Sequence, residues 1–296
     1  MDKKPRHFIS ILQALLVTFL WSTSFIIIKL ALVEIPPITF AGLRYFLAFF
    51  CFLPFIFIKR KYLDEIKQLN VLQWKNLFFL GVVFYTFTQG AQFLGLSLLP
   101  SVTVSLILNF TPIVVAVMGI FLLKENPNKL QWIGVFLFLA GVLTYFLPIS
   151  LLTNEIVGLA VMSVGVLANA ASAVVGRYIY RKKDISPFVV TFISMGIGAI
   201  ILLTLGLTAN GFPTISAKNW LFLIWLAVIN TAFAFTLWNL TLRTLNAMES
   251  SIINGTMLIQ IAVLAWLFLG ETITLQESLG MLIAALGAVL VQLKRK

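Results

Sequence analysis

Long apolar runs separated by short polar breaks make up nearly the whole chain, at about 8–33, 37–58, 74–96, 101–123, 129–147, 156–179, 187–208, 219–241, 249–270 and 275–293. Each run is near the ~20 residues that a helix needs to cross a hydrocarbon core. Lipid offers no hydrogen bonds to a bare backbone, so runs of this length are expected as transmembrane helices. The pattern predicts an all-α integral membrane protein with ten spans. The first run is too long for a removable signal peptide and is followed directly by a second span. Composition agrees: 60% of residues are hydrophobic and 10% charged, too little polar surface to cover a water-soluble globule. The longest polar stretch, about 59–73, is too short to bury a core, so no soluble domain is expected within the chain.

The runs repeat. Residues 101–147 and 247–293 align without a gap at an offset of about 146, matching Ser105 to Ser251, Ala116 to Ala262, Glu125 to Glu271, Gly134 to Gly280 and Gly141 to Gly287. This divides the chain into two five-span repeats, 1–148 and 149–296, joined by a turn-like link containing Pro148, Ser150, Thr153 and Asn154. An odd number of spans per copy forces the copies into opposite orientations, the inverted-topology plan of secondary transporters.

The net charge of +11 has a simple source. With a cytoplasmic N-terminus, 18 of the 21 Lys and Arg residues fall on one face, among them Lys59, Arg60, Lys61, Arg181, Lys182 and the terminal Lys294, Arg295 and Lys296. Lys218, Lys29 and Arg44 are the remainder. This split places both termini in the cytosol. Scattered over short loops, these charges make no basic domain for nucleic acid. The single Cys51 lies in an apolar run and can build neither a disulfide framework nor a thiolate metal site.

The LWSTSFIIIK stretch at 20–29, the Arg44-Tyr45 pair, the NFTP at 109–112 and the two Glu-x₈-Gly stretches, Glu125 to Gly134 and Glu271 to Gly280, resemble the EamA family of the drug/metabolite transporter superfamily. The resemblance covers nearly the whole chain. It implies a metabolite exporter of the bacterial inner membrane, often for amino acids or related compounds. Leu258 stands where the first half has Pro112, which argues against a matched kink in the ninth span.

Polarity separates the spans. Runs 129–147 and 275–293 are almost wholly apolar with Gly at seven-residue spacing, the pattern of closely packed, lipid-facing helices. The first, third, fourth, sixth, eighth and ninth runs carry amides, hydroxyls and aromatics at depth, where such groups face a partner or a wet cavity. Trp21 and Ser24 match Asn169 and Ser172 across the repeat; Tyr85, Gln89 and Gln92 match Thr231, Phe235 and Trp238. The expected solute site is a central cavity between the repeats. Trp21, Tyr85, Phe235 and Trp238 would form its apolar walls, with Gln89, Asn109, Asn169, Asn254 and Gln260 as polar contacts. The alternative for each amide is a bridge between two helices. Arg44 is assigned a structural role, with an anionic group as the alternative partner. Pro112 is assigned a kink, and Glu125 and Glu271 are assigned to capping the helix that follows each of them, with proton carriage as the alternative.

None of the ten acidic residues falls at the middle of a span, and the only His is His7. An enzyme or a bound metal would want clustered Asp, Glu or His, so neither catalysis nor a cofactor is expected. Phosphorylated sugars would want fixed cations in the cavity helices. The expected function is transport of small neutral or zwitterionic metabolites such as amino acids by alternating access. Export of drug-like or toxic amphiphiles is the second reading, and a non-transporting membrane scaffold or sensor is the alternative class. The expected partners are the solute and the bilayer, with homodimerisation left open.

The charge split generates a test of topology. In intact cells, Lys61→Cys, Lys129→Cys and Lys182→Cys should resist a membrane-impermeant thiol reagent while Lys218→Cys reacts. Labelling at position 61 from outside would reverse the orientation.

Overall fold

The computed structural model describes residues 3–123, 128–147, 152–182, 184–241, 244–245 and 247–292, and the regular structure in them is entirely helical. Nine helices among these residues are long and apolar enough to cross a membrane, and a shorter apolar helix covers Leu275–Val291. The first half contains α1 (Lys3–Ala31), α2 (Pro37–Ile58) and the short α3 (Arg60–Lys67). A span in three pieces follows, α4 (Val71–Leu80), a π-helical segment Gly81–Gln89 and α5 (Gly90–Leu98), and then α6 (Ser101–Leu108), α7 (Thr111–Leu123) and α8 (Lys129–Phe146). The second half contains α9 (Thr153–Lys182), α10 (Pro187–Asn210), α11 (Ala217–Ala227), a π-helical segment Val228–Phe233 and α12 (Ala234–Thr241). It ends with α13 (Ala247–Gly255), α14 (Met257–Leu269) and α15 (Leu275–Gln292).

The fourth span breaks at Asn109–Phe110, directly before Pro112, whose missing N–H and bulky ring interrupt the helical ladder. The ninth span breaks at the equivalent place, Thr256, although Leu258 replaces the proline. There Gly255, the poorest helix former after proline, precedes the break, and the Thr256 hydroxyl donates to the Ile253 carbonyl (2.6 Å). The expectation of an unmatched kink is corrected: the interruption belongs to both repeats.

Close packing gathers the chain into two units, and each draws on both sequence halves. One comprises Met1–Leu30, Leu98–Ala160 and Phe233–Lys296; the other comprises Ala31–Ser97 and Val161–Ala232. In the first unit the dominant contact is α8 against α15. Their glycines interlock at backbone distance. A Cβ on Gly141 would lie 2.3 Å from the Ala284 nitrogen, and one on Gly287 would lie 2.3 Å from the Phe138 nitrogen. Gly134 and Gly280 meet the same two helices in the same way. The opposite face of α8 is open, with Ile133 and Phe136 56% and 67% exposed. The seven-residue glycine spacing is thus a helix–helix seam, and the face of α8 behind it is open and apolar. Phe138, Tyr145, Leu106, Leu258 and Ala284 fill the core beside it.

In the second unit α10 is the central helix and packs on α2, α4 and the Gly81–Gln89 segment. Leu77, Ile179, Val189, Val190 and Ile193 form its apolar core, and Tyr62 and Ile66 of α3 pack against it.

Carboxylates close helix starts. Within the first unit, Ser101 N–H donates to Glu271 Oε1 (2.8 Å) and Val102 N–H to Oε2 (3.4 Å), so Glu271 caps α6 rather than the helix that follows it. The reason is local: Thr274 and Glu277 already exchange bonds at the start of α15, leaving the Glu271 carboxylate for a neighbour. Lys29 donates to the Leu99 carbonyl in the same corner. Glu125, the repeat match of Glu271, lies outside the described residues. Within the second unit, Ser186 N–H donates to Glu65 and Ser216 N–H to Glu34 (3.2 Å). Hydrogen bonds from Ser216 and Asn219 hold the Glu34 carboxyl below the ordinary glutamate range. Each of these contacts joins loops that the predicted alternation puts on one side of the bilayer.

The glycine seam sets a stability test. Gly141→Leu and Gly287→Leu each force side-chain atoms into backbone and should cost about 3 kcal/mol or more, read as loss of monodisperse protein after detergent extraction. Phe136→Leu, on the open face of α8, should leave extraction and melting near the parent values.

Candidate functional site

The first unit holds a mixed aromatic and amide cluster built from α1, α12 and α14. The Trp21 ring lies 5.4 Å from Phe235 and 5.2 Å from Trp238, both tilted, a geometry that suits ring quadrupoles. One turn along, Gln260 of α14 reaches α1. Its Nε2 donates to Thr18 Oγ1 (3.3 Å) and to Thr256 Oγ1 (3.0 Å), and its Oε1 accepts from Ser22 Oγ (2.9 Å). The three hydroxyls also contact main-chain carbonyls: Thr18 donates to Leu15 O, Thr256 to Ile253 O, and Ser22 Oγ lies 2.8 Å from Thr18 O. Helical spacing explains the grouping, because Thr18, Trp21 and Ser22 share one stripe of α1. Three predicted residues, Trp21, Phe235 and Trp238, therefore meet here, and a fourth, Gln260, joins the same α1 stripe through Thr18 and Ser22. Thr18 and Ser22 join them without having been singled out, although the Thr18–Ser22 spacing placed both on the Trp21 face.

Asn109 and Asn254 stand apart from this cluster. Asn109 donates to the Ser105 carbonyl of its own span (2.8 Å), bonding backbone at the break before Pro112, and Asn254 is exposed on α13.

The second unit holds a different cluster around the Arg44-Tyr45 pair. Tyr45, 2% exposed, donates its hydroxyl to Gln89 Oε1 (2.6 Å) and stacks edge-on with Tyr85 at 5.4 Å. Arg44, 4% exposed, donates Nε–H to Thr231 Oγ1 (3.1 Å), whose own proton goes to the Leu226 carbonyl (2.8 Å). Its guanidinium lies 5.3 Å from the Tyr45 ring centre and 6.0 Å from that of Phe93. Tyr85 and Gln89 project from one π-helical segment and Thr231 from the other, and at the repeat offset Tyr85 and Thr231 are the same position. The π segments are thus a property of both repeats, and such segments concentrate at functional sites. Of the predicted residues, Tyr85 and Gln89 meet here; Asn169, half-buried, offers its carbonyl to Ser172 Oγ (2.7 Å). Tyr45 and Thr231 were legible only as neighbours of Arg44 and of the aligned stripe.

A cavity of about 590 Å³ opens in the first unit where the ends of α5, α8 and α14 meet the starts of α6, α9 and α15. Thr103, Tyr145, Glu155, Glu271 and Glu277 are among its lining residues, and the Tyr145 and Thr103 hydroxyls lie 3.0 Å apart. Its three carboxylates accept main-chain N–H bonds as caps. Among the described residues no His, Cys, Asp or Glu grouping could hold a metal ion.

The two amides predict opposite responses. Gln89→Ala strands the buried Tyr45 hydroxyl and should cost about 1–3 kcal/mol, seen as a lower melting temperature in detergent. Gln260→Ala leaves three hydroxyls with main-chain partners and should cost only about 0.6 kcal/mol for each interhelical bond lost. A Gln89→Ala variant as stable as the parent would remove the Tyr45 bond from the stability argument.

Comparison with known proteins agrees with this architecture. A family model described as the EamA-like transporter family matches residues 8–147 and again 156–293, one match per sequence half. An uncharacterized transporter of Archaeoglobus fulgidus is 27% identical over 95% of this chain and 96% of its own length. The uncharacterized transporters YoaV and YvbV of Bacillus subtilis are 25% and 26% identical, over 92% and 100% of this chain and 92% and 95% of theirs. A crystal structure superposes with a TM-score of 0.68 over 95% of this chain and 96% of that one at 14% identity, which shows a shared fold. With two spaced matches covering nearly all of its length, this multi-pass membrane chain belongs to the EamA-like transporter family.

Proposed function

We propose that this protein is a ten-span secondary transporter of the bacterial inner membrane, with both termini in the cytosol and its halves, 1–148 and 149–296, in inverted orientation. It exports small neutral or zwitterionic metabolites such as amino acids by alternating exposure of a site to which both halves contribute. One observation carries this reading: within one packed unit, Trp21 from the first half meets Phe235 and Trp238 from the second, and the adjacent Ser22 bonds to Gln260. Three rings and one amide suit a solute with an apolar body and a few polar groups. The amide is joined to hydroxyls that keep main-chain partners, so it can exchange a helix contact for a solute contact without stranding a buried donor. The aromatic share of this cluster is also what favours amphiphilic compounds as the second reading.

Because no carboxylate or His lies at the middle of a span, the cycle runs as facilitated diffusion without a proton carrier. Inverted vesicles offered a panel of radiolabelled L-amino acids and amphiphilic amines should take up an amino acid above empty-vesicle levels. Counterflow of that solute should persist when an uncoupler collapses the proton gradient. Uptake confined to the amines would select the second reading, counterflow abolished by the uncoupler would require a proton carrier, and no uptake would overturn both solute classes.

A further inference from the structure

Arg44 is the charged group that the capping network does not absorb. It is the eighth residue of α2, about 10 Å along the helix from its start, and no other Lys or Arg lies so deep in a candidate span. A cation at this depth is costly, so it pairs or it serves a function. Among the described residues no carboxylate lies within 4.0 Å of it. Its neighbours are a hydroxyl and two aromatic faces, which hold the ion without supplying an opposing charge. The Nε–H is bonded, whereas the two terminal nitrogens donate to no atom of the described residues, and they are not among the fully enclosed polar atoms.

We propose that the Arg44 fork is the binding site for the solute's carboxylate, which narrows the transported class to amino acids and related carboxylates. The inference rests on the transport reading above. The guanidinium presents parallel N–H groups in a rigid plane that matches a carboxylate bidentately. A single cation balances a carboxylate's single charge, whereas a phosphate monoester would need a second cation. The surroundings position the fork. Thr231 fixes Nε from one π-helical segment, and Tyr45, alongside, is held by Tyr85 and Gln89 of the other. Matched positions of the two repeats thus grip the Arg44-Tyr45 pair, so a shift of either segment re-aims the fork.

Phenylglyoxal, which adds to accessible guanidinium groups, tests the site without requiring transport. In vesicles of the wild-type chain, peptide mass spectrometry should find Arg44 modified. L-Phenylalanine or 3-phenylpropionate at about ten times its Kd should slow that modification about ten-fold, and phenethylamine should not. In detergent, the same carboxylates should raise the melting temperature of the wild type and leave that of Arg44→Lys unchanged, because Lys keeps the charge and loses the fork. Arg44 that is never modified, or modification unaffected by either carboxylate, overturns the site whatever the transport panel shows. Protection by 3-phenylpropionate with no amino-acid transport supports the site and removes the transport reading alone.

Discussion

A polar group that enters hydrocarbon without a partner costs several kcal/mol, and the arrangement of this chain follows from that cost. Helices satisfy the backbone along the spans, and what remains unpaired is the set of C=O groups at each helix end and of N–H groups at each helix start. The protein closes several of these with carboxylates borrowed from elsewhere in the sequence: Glu271 on Ser101, Glu65 on Ser186 and Glu34 on Ser216. Each such bond ties a helix start to a distant segment. Acidic residues are therefore spent at helix ends, which leaves amides, hydroxyls and the Arg44 guanidinium as the polar chemistry within the spans.

The apolar surface of a helix gains nothing by leaving lipid for another apolar helix, so contact has to come from close fit. The seam between α8 and α15 shows the consequence, with glycines of each helix against backbone of the other. Because Gly134 and Gly141 match Gly280 and Gly287 in the repeat, one sequence feature serves twice in a single seam. Duplication supplied both faces, and the packed unit mixes the halves for the same reason.

Membership of a transporter family fixes the broad activity, while the chemistry of the two clusters separates their roles. In the first unit the Gln260 amide sits among hydroxyls that have main-chain alternatives, so its bonds are exchangeable. In the second unit Gln89 accepts from a tyrosine with no second partner at hand, and Arg44 donates through Nε alone. The same amide group is thus replaceable in one place and structural in the other. The difference lies in the partners: the buried Tyr45 hydroxyl bonds to Gln89, whereas Thr18, Ser22 and Thr256 also reach main-chain carbonyls.

The sequence by itself determined the class, the approximate span positions, the duplication and the glycine seam, because apolar length and small-residue spacing are local properties that lipid reads directly. It also indicated Trp21, Phe235, Trp238 and Gln260, since polar and aromatic residues at depth must meet something. It could not say what each would meet. That Glu271 caps α6, that Gln89 is claimed by Tyr45 and that the ninth span breaks at Thr256 without a proline were decided by tertiary structure. Those outcomes depend on which distant segments share a packed unit and on which donors are already satisfied. Arg44 marks the boundary between the two sources. Its depth is plain in the sequence, but only the folded unit shows a buried fork held by both repeats with its terminal N–H groups left for a partner.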